Sequence, residues 1–72
     1  MVNVGIIGYG TVGSGVFEVI NTNRQSIAIK AGEEIRVKRI CDLRDMHGDP
    51  AEKLITHDFN DILKDDEISV VV

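Results

Sequence analysis

The sequence predicts an α/β fold, a parallel sheet doubly wound with helices on both faces. An N-terminal apolar run passes directly into a glycine-rich turn, a long segment with helical periodicity follows, and further short apolar runs alternate with polar, turn-forming stretches. In the first run, Val2–Ile7, only Asn3 and Gly5 depart from large apolar residues, as suits a mid-sheet strand covered on both faces. Gly8, Gly10 and Gly13 come next in G-x-G-x-x-G spacing. Gly8 suits a tight turn at positive φ, Gly10 removes a Cβ where a diphosphate must approach the backbone, and Gly13 lets the following helix pack close to the strand. The first N–H groups of that helix have no intrahelical partner and lie at the positive end of its dipole, which makes an anion site. Strand, glycine turn and helix in direct succession predict a partial Rossmann fold of about four strands, with 1–72 as the first part of a dinucleotide-binding domain.

The helix is expected over Thr11–Ala31, with Val12, Val16, Val19, Ile20, Ile27 and Ala31 turned to the sheet; Asn21, Thr22 and Asn23 offer a point where it divides in two. Lys30 and Gly32 are its C-terminal signals. Strand two is expected at Ile35–Cys41, interrupted by Arg36, Lys38 and Arg39. Asp42 stands at its end, where an acidic side chain in such a fold accepts hydrogen bonds from the adenine-ribose hydroxyls. It follows Gly13 by 29 residues (positions 13 and 42), more than the usual ~20, so the intervening helix must be long.

Gly48, Asp49 and Pro50 mark a turn, with Asp49-Pro50 able to cap one helical turn through Lys53. Leu54–Thr56 is a short strand. Asp58 reads as the N-cap of a helix through Lys64 that buries Phe59, Ile62 and Leu63. Asp65-Asp66-Glu67 is a turn, and Ile68–Val72 a further buried strand. A chain that stops in the middle of an apolar strand is expected to be the opening part of a longer protein.

Composition narrows the function. With 43% hydrophobic and 28% charged residues the chain is an ordinary folded one, and its net charge of −4 without a basic stripe argues against nucleic acid or an anionic membrane as partner. No apolar run is long enough to span a bilayer, and the first residues lack the charged n-region and apolar h-region of a signal peptide. One cysteine, Cys41, excludes an intrachain disulfide, reads as a small core residue and suits a reducing cytoplasm. His47 and His57 have no partner at metal-ligand spacing, so no metal site is expected, and Lys30, Lys38, Lys53 and Lys64 lack a partner group that would make any of them catalytic. A small molecule is left as the partner.

The run Val4-Gly5-Ile6-Ile7-Gly8-Tyr9-Gly10-Thr11-Val12-Gly13-Ser14-Gly15-Val16 resembles the opening of homoserine dehydrogenases, with their G-x-G-T-V-G string. Ile35–Ile40 is similar to that family's second strand, Ile55-Thr56 with Asp58 to its L-T-x-D element, and Asp61–Leu63 with Asp66–Val72 to the segment that follows. Lys64–Glu67 lacks the proline often found there, and Cys41-Asp42-Leu43-Arg44 differs from the usual V-R-D. The resemblance implies a parent enzyme, homo-oligomeric, that interconverts aspartate 4-semialdehyde and homoserine with NAD or NADP on the way to threonine and methionine.

Its catalytic lysine, acidic substrate ligands and metal site would follow this segment, so no catalytic residue is assigned. The cofactor-binding residues it implies are Gly8, Tyr9, Gly10, Thr11, Val12, Gly13, Asp42 and Arg44, with Tyr9 lining the loop. Asp42 favours NAD by repelling a 2′-phosphate, whereas Arg44 could bind one, and the balance leans to NAD with dual use. Two other functions use the same loop: a non-catalytic nucleotide-sensing module, and another amino-acid or semialdehyde dehydrogenase. The 72 residues alone are expected to be marginally stable and without dehydrogenase activity.

Overall fold

The strand β1 (Val2–Ile7) is paired along both edges, with β2 (Ile35–Cys41) on one side and β4 (Ile68–Val71) on the other, all parallel. The two-residue strand β3 (Ile55–Thr56) extends the sheet beyond β2, giving the order β3-β2-β1-β4 in a computed structural model that describes residues 1–72. The order reverses between β1 and β4, and in open parallel sheets a ligand crevice opens outside the carboxyl ends of the strands at such a reversal.

Side chains alternate across β1, so Val4 and Ile6 face one way and Gly5 the other. Val4 and Ile6 join Val37 and Ile40 of β2 under the helix α1 (Thr11–Thr22), where Phe17 and Tyr9 complete the main core. Ile40 and Ile6 are 0% and 1% exposed. On the opposite face the one-turn helix α3 (Asn60–Leu63) sets Ile62 over Gly5, so close that a Cβ on Gly5 would lie 2.8 Å from the Ile62 Cγ2. Helices thus lie on both faces, as expected of a partial Rossmann fold.

The long helix is not continuous. It breaks at Asn23, and α2 (Arg24–Ala31) follows, ending in the left-handed Gly32 at φ 71° with Lys30 in its last turn. Asn23 sends its side-chain amide back to the carbonyl of Val19, a local bond that competes with helix continuation. The division expected as the alternative reading at Asn21–Asn23 is therefore the one that forms.

The buried face of α1 also differs from the expected stripe. Gly13, Val16, Phe17 and Ile20 meet the sheet, whereas Val12 and Val19 are 74% and 54% exposed and Ala31 faces solvent. Close packing of Gly13 sets the rotation of the helix, and the pattern 13, 16, 17, 20 then follows from its pitch.

In β2 the register steps from Val4↔Val37 to Gly5↔Arg39, leaving Lys38 as the extra residue of a bulge. That accounts for the broken alternation seen in the sequence. Lys38 uses its freedom to reach Asp65 at 2.7 Å and Glu67 at 2.6 Å, and these bonds raise the lysine's pKa and lower that of Asp65. Asp65 and Glu67 are thereby ion-paired members of the turn before β4.

Further expectations need correction. Phe59 and Leu63 are 45% and 58% exposed, because a single helical turn offers one inward position and Ile62 holds it. Asp58 is not the N-cap: Phe59 holds that place without a side-chain cap, and Asp58, one residue earlier, accepts the N–H of Asn60 at 2.9 Å. The strand β4 is not buried: Val70, Val71 and Val72 are 44–50% exposed, since it forms an edge of this sheet with β1 as its one neighbour. Cys41 is half-buried, and the expected helical turn before β3 is a short 3-10 turn at Glu52–Leu54.

Candidate functional site

The chain leaves β1 at Gly8, whose φ of 88° is a left-handed conformation that side chains disfavour. Gly8 donates its N–H to the carbonyl of Cys41 at 2.7 Å, which ties the bend to the end of β2. The helix α1 then starts after Gly10, and its first intrahelical bond runs from the Ser14 N–H to the Gly10 carbonyl at 2.9 Å. The N–H groups of Gly10, Thr11, Val12 and Gly13 meet no acceptor in the chain, and no acidic residue stands in the first turn. Four bare donors at the positive end of a helix favour an anion.

The three glycines have separable roles. A Cβ on Gly13 would lie 2.1 Å from the Gly8 carbonyl oxygen and 3.1 Å from the Ile6 Cγ2, so Gly13 is required by the crossing of helix and strand. A Cβ on Gly10 would meet nothing within 4 Å, and its φ of −85° suits any residue. Nothing within the protein requires glycine at position 10. The space it leaves is part of an open cleft of about 370 Å³ bounded by Ile7, Gly8, Gly10, Thr11, Val12 and, across the strand reversal, Val72. No ionisable side chain lines it, so the cleft can hold a charged group through main-chain N–H groups but cannot itself move a proton.

The residues expected at the cofactor separate into two sets. Gly8, Gly10, Thr11, Val12 and Gly13 come together at the cleft. Tyr9, Asp42 and Arg44 form a second cluster beside it, and Tyr9 does not line the mouth of the loop. Its ring is 9% exposed, turned into the core edge-on to Phe17 with centroids 6.0 Å apart, because this leaves its hydroxyl free to donate to Asp49 at 3.1 Å.

The Asp42 carboxylate is engaged by its own chain. Its Oδ2 accepts the Tyr9 N–H at 2.7 Å and Arg44 Nη2 at 3.2 Å; its Oδ1 accepts the Arg44 N–H at 2.9 Å and Arg44 Nε at 3.2 Å. These are about as many bonds as a carboxylate has lone-pair sites. The Arg44 side chain first, then the N–H groups of Arg44 and Tyr9, hold the carboxyl well below the usual carboxylate range, so it stays ionised. Arg44, 63% exposed, also donates to the Tyr9 carbonyl at 3.1 Å.

Sequence reasoning missed Val72 and Asp49. Strand order is the information that puts Val72 beside Gly8, and it is not written in any local pattern. Asp49 was visible as an Asp-Pro turn, but its contact with Tyr9 spans 40 residues.

Two predictions follow from this geometry. Gly13→Ala should lower the denaturation midpoint by the equivalent of about 1–3 kcal/mol or more, whereas Gly10→Ala should stay within about 0.5 kcal/mol; equal losses would show that the two glycines do the same work. The folded-state pKa of Asp42 lies below its unfolded value, near 3.9, so its stabilisation is complete above that pH and is lost as pH falls through the folded value. The gap in urea midpoint between the protein and Asp42→Asn should therefore be constant at neutral pH and close below about pH 4. A gap that persists unchanged into acid would contradict the ion pair.

No protein-family model matches the chain. It is similar to the homoserine dehydrogenase of Pseudomonas aeruginosa, with 43% identity over 72 residues, and to that of Helicobacter pylori, with 35% identity over 72 residues. These matches cover 99% and 97% of the chain but 17% of each relative. The crystal structure of S. aureus homoserine dehydrogenase at pH 8.5 superimposes with a TM-score of 0.83 and 34% identity, over 97% of this chain and 18% of that one. The chain thus spans 17–18% of the length of these proteins. In sequence and in fold alike, it is homologous over nearly its whole length to a segment of homoserine dehydrogenases.

Proposed function

We propose that the chain is the N-terminal dinucleotide-binding segment of a cytoplasmic homoserine dehydrogenase whose substrate domain lies outside residues 1–72. The observation that carries this reading is the set of four unpartnered N–H groups of Gly10–Gly13, facing a cleft at the strand reversal with no Cβ on Gly10. The residues fit a diphosphate: the donors are main-chain, the approach is open, and no acidic group repels it. A bound nicotinamide dinucleotide would supply the hydride for interconverting aspartate 4-semialdehyde and homoserine. The contribution of these residues is to hold the diphosphate and fix the direction in which the two halves of the cofactor extend. No helix is long and apolar enough to cross a membrane.

The Asp42–Arg44 pair bears on the choice of cofactor. Asp42 alone would repel a 2′-phosphate, but its charge is matched by Arg44, whose outer edge stays exposed. Both NAD and NADP then fit, with Arg44 turned to a 2′-phosphate in the second case. Removing the Arg44 side chain would uncover one acceptor site on each Asp42 oxygen for ribose hydroxyls.

The test is cofactor-dependent oxidation of homoserine by the full-length gene product, followed through the absorbance of the reduced cofactor. Turnover is expected. Cofactor binding with no turnover of homoserine or any related amino alcohol would favour the sensing module, and turnover of another substrate alone would favour a different dehydrogenase. Arg44→Ala should shift the ratio of NADPH to NADH dissociation constants by about tenfold toward NADH, a difference of roughly 1.4 kcal/mol. An unchanged ratio would exclude Arg44 from cofactor choice.

A further inference from the structure

The side chain of Tyr9 occupies a position in the glycine loop that the G-x-G-x-x-G spacing leaves open to any residue, yet this one residue joins three segments. Its N–H donates to Asp42 at the end of β2, its carbonyl accepts from Arg44, and its hydroxyl donates to Asp49 in the turn that leads back to β3. The Asp49 Oδ1 that receives the phenol also accepts the N–H of Ala51 at 2.8 Å, and Ala51 is completely buried. The Asp49 main chain closes the same turn, donating to Met46 and accepting from Glu52, both at 3.0 Å. The segment from Asp42 to Asp49 is therefore pinned to the glycine loop at both ends, by the Asp42 carboxylate and by the Tyr9 hydroxyl. Burial, and after it the bond to Asp49, raise the phenol's pKa and keep it a donor at neutral pH.

We infer that Tyr9, acting through Asp49, is a positioning residue for the adenosine end of a bound dinucleotide: its hydroxyl fixes the bend that carries Asp42 and Arg44 relative to the diphosphate loop. This rests on the dinucleotide reading above and adds to it a division of labour. The helix N–H groups serve the phosphates, whichever half of the cofactor carries them. The Tyr9–Asp49 bond serves only the half that reaches the end of β2. On this reading the nicotinamide half would extend away from the end of β2 and so would not meet the pinned segment.

The experiment is fluorescence titration of the full-length gene product with NADH, NADPH and reduced nicotinamide mononucleotide, which has a phosphate but no adenosine. In Tyr9→Phe and Asp49→Ala, dissociation constants for both dinucleotides should rise about three- to tenfold, the effect of one lost hydrogen bond, while the mononucleotide constant stays unchanged. Asp49→Asn keeps a carbonyl oxygen for both the phenol and Ala51 and should bind within about twofold of the wild type. Equal weakening of mononucleotide and dinucleotides, no weakening of either, or an Asp49→Asn variant as impaired as Asp49→Ala would overturn the inference and leave the dinucleotide reading intact. A wild-type protein that binds neither NADH nor NADPH would overturn both.

Discussion

The rest of the structure depends on the near-contact between α1 and β1 at Gly13. With no side chain there, the helix comes down onto the carbonyl of Gly8, at a distance where a Cβ would be 2.1 Å from that oxygen. The closeness fixes the rotation of α1, and with it the inward face of Gly13, Val16, Phe17 and Ile20. It also fixes where the helix begins, directly beyond the end of β1 and beside Val72 of the strand reversal. Packing and the candidate site are thus set by one steric fact: the contact that closes the core is the one that turns four N–H groups toward the cleft.

A second constraint acts on the neighbouring cluster. A carboxylate at the end of the second strand is open to two uses, as an acceptor for ribose hydroxyls or as an anchor for its own loop. Asp42 serves as an anchor here, because Arg44 lies two residues on and the Tyr9 N–H opposite. The ion pair offsets the carboxylate's charge and leaves the guanidinium exposed at the surface beside it. Under the proposed function, cofactor choice would be a property of the pair and not of either residue.

The sequence made the glycine loop, its flanking strand and helix and the mid-sheet place of β1 legible, because each depends on residues within a dozen positions of one another. What it left open were outcomes of longer-range competition. The bulge at Lys38 shows in the sequence only as imperfect alternation, and the partners its side chain reaches, Asp65 and Glu67, lie far along the chain. Val12 and Val19 satisfy a helical pattern as well as Val16 does, and only the position of Gly13 shows which valines turn inward. The apolar run Ile68–Val72 implied burial, but depth in a sheet depends on neighbours, and as an edge strand it stays half exposed. The motif places Tyr9 in the loop, whereas its side chain follows Phe17 and Asp49 into the core.

In the proposed function, main-chain N–H groups at the start of α1, uncovered by glycine, hold the phosphates of a dinucleotide. Amide NMR of glycine-labelled protein titrated with NADH or with inorganic pyrophosphate tests it directly. Gly8 and Gly10 lie in the loop and Gly13 in the first turn of α1, and Gly32 at the end of α2 stands apart as an internal control. The Gly10 and Gly13 resonances should move most with either ligand while Gly32 stays still. Unperturbed loop glycines in a protein that binds NADH would place the phosphates elsewhere and contradict the account.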